Sequence, residues 1–214
     1  MLPLDDRRVE RFDAGLAGRP QLIRGTSQLL FAGMGRLSES SLLNVKNKSH
    51  SITAQFTVPH GGASGVLIAQ GGSFGGWVLY LNQGRPKYVY NLLGMTRIPV
   101  EGEDPVPAGE HQLRMEFAYD GGGLGKGGNI TLYLDGDAVA AGRLENTIPM
   151  LFSIDDTADV GEDSGTTVGD DYSSQTSGFT GTISWVQIDI DAAAADEDHL
   201  IGPEERLRIA MARQ

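Results

Sequence analysis

The sequence predicts an all-β protein, an antiparallel β-sandwich with an N-terminal extended arm and a short C-terminal helix. Three observations lead to the sandwich. From residue 111 to 119 the side chains alternate: His111, Leu113, Met115, Phe117 and Tyr119 fall on one face, and Gln112, Arg114 and Glu116 on the other. Successive side chains of a strand point to opposite faces, so this run describes a strand with one buried and one wet side. Similar runs recur about every 8–12 residues with turn residues between them, the spacing of a sandwich or barrel. Glycine supplies 30 of the 214 residues, roughly twice the usual share of about 7%, as many tight turns require.

Taken in order, residues 1–26 have no clean period. Arginines scatter there among Pro3, Pro20 and glycines, and the segment reads as an arm. Its apolar residues, among them Leu2, Leu4, Val9, Phe12 and Leu16, call for a surface to cover them, which a neighbouring exposed apolar area would provide. Residues 27–32 read as the first strand and 41–46 as a second candidate. Residues 51–58 alternate cleanly, with Ile52, Ala54, Phe56 and Val58 on one side, and Pro59 and Gly61 end the run. A short apolar strand spans 65–70. Residues 76–82 and 87–92 make a hairpin across Gln83 and Gly84. Residues 95–100 suit a sheet edge, because Pro99 has no N–H for a ladder. The pair 110–119 and 129–134 is the clearest, and Asp135-Gly136 turns the chain into 138–144. A short apolar run at 150–154 precedes a polar, acidic loop over 155–178. Alternation returns over 179–190, with Phe179, Ile183 and Trp185 expected on one face. After a linker at 191–201, Gly202-Pro203-Glu204-Glu205 opens a helix over about 203–213, with proline at the first position and acids in the first turn. The division is therefore arm 1–26, sandwich 27–190, and linker with helix 191–214.

Charge narrows the function. The net charge of −11 is uneven: residues 1–106 carry 11 basic and 8 acidic groups, whereas residues 107–214 carry 6 and 20. Nucleic-acid binding needs a basic surface that releases counterions, and an anionic membrane attracts basic segments; neither partner is expected. With no cysteine there is no disulfide, thiolate metal site or thiol nucleophile. No apolar run approaches the ~20 residues of a membrane-spanning helix. The first residues lack an apolar signal-peptide core, and the compartment reading leans towards the cytoplasm.

Two catalytic-looking motifs fail on context. Gly71-Gly72-Ser73-Phe74-Gly75 matches G-x-S-x-G, but a nucleophile elbow needs a helix after the serine, and here a strand follows. Residues 123–128 match G-x-G-x-x-G, but the dinucleotide fingerprint opens a helix, and Asn129 starts a strand. Both read as turns. The four histidines, His50, His60, His111 and His199, show no zinc spacing and read as strand-end or surface residues.

Several longer segments carry a family resemblance. GRPQLIRGTSQLLFAGMGRLSESS, NVKNKSHSITAQF, FGGWVLYLNQGRPKYVYNLLG and HQLRMEFAYDGGGLGKGGNITLYLDG, with the ending HLIGPEERLRIAMARQ, resemble the C-terminal region of a large group of bacterial arylsulfatases. The likeness covers essentially the whole chain. It implies a concanavalin A/laminin-G-like jelly roll, a sulfuric ester hydrolase as parent protein, and a sulfatase catalytic domain as partner in cis or in trans. The opening LPLDDRRVERF is similar to the connector after that catalytic domain, which makes Met1 an internal residue by this reading. The chain departs from the family at the chemistry. The Cys/Ser-x-Pro-x-Arg motif that yields formylglycine is missing: there is no cysteine, and no serine stands two residues before any of the nine prolines. No catalytic residue can be carried over, and no sulfatase activity is expected from this chain alone.

Two sets of residues remain as candidate sites. Asp155, Asp156, Asp159, Glu162, Asp163, Asp170 and Asp171 crowd one loop without a basic residue among them. Calcium takes six to eight oxygen ligands, so this loop reads either as solvated or as a calcium site. Trp77, Tyr80, Tyr88 and Tyr90 read either as core rings or as a sugar-stacking platform. The expected function is a non-catalytic accessory domain that packs on or caps a sulfatase domain, or joins a homo-oligomer. The alternative is a free-standing carbohydrate-binding module. An exposed aromatic row would favour the second, and a large apolar patch the first.

Overall fold

The computed structural model describes residues 22–195 and 197–212, so most of the expected arm lies outside the described residues. Eleven strands follow in order: β1 (Ser27–Leu30), β2 (His50–Val58), β3 (Gly65–Gly72), β4 (Gly75–Asn82), β5 (Arg85–Leu92), β6 (Thr96–Glu101), β7 (Gly109–Tyr119), β8 (Lys126–Leu134), β9 (Asp137–Asn146), β10 (Ala158–Val160) and β11 (Thr182–Ile190). Helix α1 spans Pro203–Ala212. The strands form two antiparallel sheets, a six-stranded one ordered β1-β11-β2-β7-β8-β9 and a five-stranded one ordered β10-β3-β4-β5-β6. The expected antiparallel sandwich is therefore present, and β6 is the edge strand that Pro99 called for.

Turn chemistry places the hairpins. At Gln83–Gly84 and again at Asp135–Gly136 both residues have positive φ (51° and 85°, 53° and 93°). Two-residue turns of this hand match the twist of the flanking strands. The core lies between the inner faces, where Ile52, Phe56, Leu113 and Met115 of one sheet meet Leu67, Trp77, Leu79 and Tyr88 of the other. Gly128 has no room for a side chain, since a Cβ there would lie 2.6 Å from the Phe117 ring and run into the Ala118 carbonyl oxygen.

Several expectations are corrected. Residues 41–46 are not a strand. Leu42, Leu43 and Val45 are all buried, which no period of two allows, and the Gln28 amide occupies the backbone by donating to Ser41 O (2.9 Å) and accepting from Leu43 N–H (2.7 Å). Residues 150–154 are irregular, and the acidic loop contains β10. Ile183 and Trp185 do not share a face. The register of β11 on β2 slips between them, and a bulge re-aims the next side chain. Ile183 joins the inner core, and Trp185 packs outside it with Ile201 and Ile209.

That outer cluster overturns the larger expectation of one wet face per sheet. Gln112 and Arg114 of β7, and Ser51, Thr53 and Gln55 of β2, are all buried. The C-terminal segment covers them. The Gln112 amide donates to Ile201 O (3.0 Å) and accepts from Ile201 N–H (2.8 Å), and Arg114 donates to Ala194 O (2.7 Å) and Thr53 Oγ1 (3.0 Å). Ile209 anchors α1 over Trp185, while Leu207 and Met211 face solvent. On the opposite sheet, Val168 and Tyr172 of the acidic loop fill an outer cluster with Val66, Val78, Tyr80 and Val89. Each sheet thus carries a small outer cluster besides the central core.

Candidate functional site

The four expected aromatic residues are internal. Trp77 is 1% exposed, Tyr80 and Tyr88 2%, and Tyr90 5%. Trp77 donates to Gln70 Oε1 at 3.0 Å, and Tyr90 Oη accepts from Ile148 N–H at 2.8 Å. Alternation sends Trp77, Tyr88 and Tyr90 inward and Tyr80 outward under the acidic loop, so they present no open platform. The three inward rings wall a void of about 10 Å³ beside His50, room for about one water molecule. His50 opens β2, the strand-end position expected, and is buried there; its Nδ1 donates to Lys48 O at 3.2 Å, and its Nε2 has no partner. Burial lowers its pKa from 6.5 to about 4.

Five of the seven acids of the loop are spread among separate protein donors. Asp156 accepts from Thr166 Oγ1 (3.0 Å) and Ser153 Oγ (3.0 Å). Asp159 accepts from Arg36 N–H (2.6 Å) and Ser164 Oγ (2.9 Å). Asp163 accepts from Val168 N–H (3.0 Å) and the Tyr172 hydroxyl (2.7 Å), and burial raises its carboxyl above the ordinary range despite these bonds. Asp170 pairs with Arg97 at 3.1 Å. Asp171 accepts from Lys87 Nζ (2.7 Å) and the Tyr80 hydroxyl (2.6 Å), and these bonds, Lys87 first, hold it below the ordinary range. Burial pulls the Lys87 ammonium down, but its bonds to Asp171 and Glu101 outweigh this and leave it raised. Asp155 and Glu162 are exposed. Among the described residues no three metal-ligating side chains converge on one point. Asp170 and Asp171 tie the loop to the sheet through Arg97, Lys87 and Tyr80.

An open polar surface lies elsewhere. The C-terminal cover meets β8 at His199, whose ring stacks on Tyr133 with centroids 3.9 Å apart and planes 9° from parallel. Its Nδ1 donates to Glu116 Oε1 at 3.0 Å, and the same oxygen accepts from Arg114 Nε at 2.7 Å. Burial, then the Glu116 charge, raises the Tyr133 hydroxyl above its ordinary pKa. Beyond this stack the outer face of β8 and β9 carries Asn129, Thr131, Ala141 and Arg143, of which Asn129, Ala141 and Arg143 are exposed. Arg143 sits opposite Asn129 in register. It donates to both oxygens of Asp120 (3.2 and 2.7 Å) and to Asn129 Oδ1 (3.2 Å), and pairs with Glu145 at 3.3 Å. The bonds with Asp120 push the Asp120 carboxyl down and the guanidinium up from their ordinary values. The result is a strip of fixed, planar hydrogen-bonding groups beside an aromatic pair. Sequence reading missed it. Its only signal was the polar alternation of Asn129, Thr131 and Tyr133, which does not tell an open face from a covered one.

One end of the sandwich is apolar. Asn91 ties two turns together there, donating to Gly72 O (2.7 Å) and accepting from Gly94 N–H (3.0 Å). These turns expose Phe74 (72%), Leu93 and Met95 (74%). The adjoining loop, joined through Ser73 N–H to Thr166 and from Thr166 to Asp156, adds Ile154 (85%).

The fold is a two-sheet antiparallel β-sandwich. No family model matches the chain, and no curated protein matches it. Among solved structures it is similar to the CBM40 module of the Ruminococcus gnavus IT-sialidase bound to alpha2,3 sialyllactose, at 14% identity over 90% of this chain and 99% of that one, with a TM-score of 0.53. It is also similar to a point mutant of the NanB sialidase from Streptococcus pneumoniae, at 12% identity and a TM-score of 0.54. There it covers 85% of this chain and 28% of the sialidase. Identities this low show the fold alone. Nothing in the comparisons links the chain to sulfatases. Among the described residues no helix is long and apolar enough to cross a membrane.

Proposed function

We propose that this domain is a carbohydrate-binding module. The observation that carries the reading is the open strip of β8 and β9, where the Asn129–Arg143–Asp120 cluster lies along β8 from the Tyr133–His199 stack, which Glu116 holds through His199. Sugar hydroxyls take and give hydrogen bonds to such amides, carboxylates and guanidinium groups, and the C–H face of a sugar ring rests on an aromatic plane. Pre-ordered side chains lose little further entropy on binding. Glu116 and Asp120 are each committed to a cation, so neither is free to serve as an acid or base, and the reading is of binding without turnover. A bound CBM40 module with the same fold supports it. Titration calorimetry against a panel of oligosaccharides tests it: binding should be found and should fall at least tenfold in Asn129→Ala and Tyr133→Ala. Binding unaffected by both substitutions, or none across the panel, refutes it.

The apolar end favours a second reading, the accessory domain that the arylsulfatase resemblance implies. Phe74, Leu93, Met95 and Ile154 would meet a neighbouring catalytic domain. Light scattering of the chain mixed with an arylsulfatase catalytic domain tests this. A complex that Phe74→Ser with Met95→Ser abolishes supports it, and two separate species count against it.

A further inference from the structure

We infer that the strip selects neutral glycans and discriminates against sugars carrying a carboxylate or sulfate; the inference rests on the carbohydrate-binding reading and names the ligand class of that same site. The reason is how its cations are occupied. Arg143 is the exposed cation of the strip, and its guanidinium is already shared between Asp120 (2.7 Å), Glu145 (3.3 Å) and Asn129 (3.2 Å). Arg114 lies beneath, its side chain 2% exposed, with Glu116 at 2.7 Å, Thr53 at 3.0 Å and Ala194 O at 2.7 Å using its nitrogens. The imidazole of His199 turns its Nδ1 to Glu116. Three carboxylates, Glu116, Asp120 and Glu145, thus stand over two guanidinium groups, one of them buried.

An anionic sugar gains at such a surface only if a cation can reach it. Charge-assisted bonds are roughly twice as strong as neutral ones, but here an anion would have to displace Asp120 or Glu145 to form one, and would face the displaced charge. A neutral sugar has no such obstacle. Its hydroxyls can donate to Asp120 and Glu145 and accept from the Asn129 amide without breaking the Arg143 pairs.

The test is a matched pair of ligands, lactose and alpha2,3 sialyllactose, which share a neutral core and differ by one acidic sugar, together with a panel of other neutral oligosaccharides and their sulfated forms. Titration calorimetry on the full chain should show the neutral member of each pair bound at least tenfold more tightly, with little dependence on salt. The double variant Asp120→Asn with Glu145→Gln releases the guanidinium, and should shift the acidic-to-neutral affinity ratio at least tenfold towards the acidic member. Circular dichroism melting of the variant checks that these exposed changes leave it folded. Acidic glycans bound as tightly as their neutral partners, through Asn129 and Tyr133, would overturn the inference and leave the carbohydrate reading standing. No binding of any glycan would overturn both, and neutral binding indifferent to Asn129→Ala would place the ligand off this strip and overturn the inference.

Discussion

Lowering the pH from 7 to 5 should destabilise this protein through His50. The ring is buried at the start of β2, its Nδ1 on the Lys48 carbonyl and its Nε2 unpartnered beside the small void. Folding holds it neutral, with a pKa of about 4 against 6.5. The unfolded chain therefore binds more protons than the folded one between these values. Stability from this group is fully present above pH 6.5 and is lost as the pH falls towards 4. Each unit of separation corresponds to ~1.4 kcal/mol, so the whole loss is about 3 kcal/mol, of which about 2 falls between pH 7 and pH 5. The assay is urea unfolding at both pH values for the native chain and for His50→Phe. Phenylalanine keeps a ring against Phe117, 5.2 Å away, but cannot titrate. It costs about 1 kcal/mol at pH 7 by leaving the Lys48 carbonyl without its donor. Carboxylates such as Asp163 and Asp189, whose folded pKa is raised by burial, titrate alike in both chains and cancel in the comparison. The native chain should lose about 2 kcal/mol more than the variant. Equal losses, within about 0.5 kcal/mol, would refute the reasoning, because a proton would then be entering the folded state at no cost.

Three further outcomes are expected. Gly128→Ala should lower stability by about 1–3 kcal/mol in denaturant unfolding, because its Cβ meets the Phe117 ring and the rigid Ala118 carbonyl. Trp185→Ala should cost about 3–5 kcal/mol and free the C-terminal segment, seen as rapid amide exchange over residues 199–212, since Trp185 is what Ile201 and Ile209 pack against. Millimolar calcium should leave the melting temperature where chelator leaves it, because the loop carboxylates already accept from Thr166, Arg36, Val168, Lys87 and Tyr80; a ligand that bound only the folded state at a hundredfold excess over its Kd would add ~2.7 kcal/mol.

The strands were legible in the sequence because their signals are local. Alternation at 51–58 and 110–119, the turn pairs Gln83–Gly84 and Asp135–Gly136, and the edge proline Pro99 each act within a few residues and each hold in the structure. The proline and acids at 203–205 likewise start a helix where expected. Tertiary structure alone decided which faces are wet. Gln112 and Arg114 look like solvent residues by type, and they are buried because a polar segment some 80–90 residues further on returns to bond them at Ala194 and Ile201. A side chain of this kind reads the same whether water or a distant carbonyl satisfies it. The bulge that turns Trp185 outward is one residue of register, which composition does not record. The acids of the loop were correctly seen as crowded along the chain, but folding gives them separate partners on β4, β5, β6 and the Arg36 turn. The candidate site follows from the same cause. On β8 and β9 the C-terminal segment reaches Tyr133 through His199 and leaves Asn129, Ala141 and Arg143 exposed. Strand pattern is written residue by residue, whereas exposure depends on where remote segments of the chain come to rest.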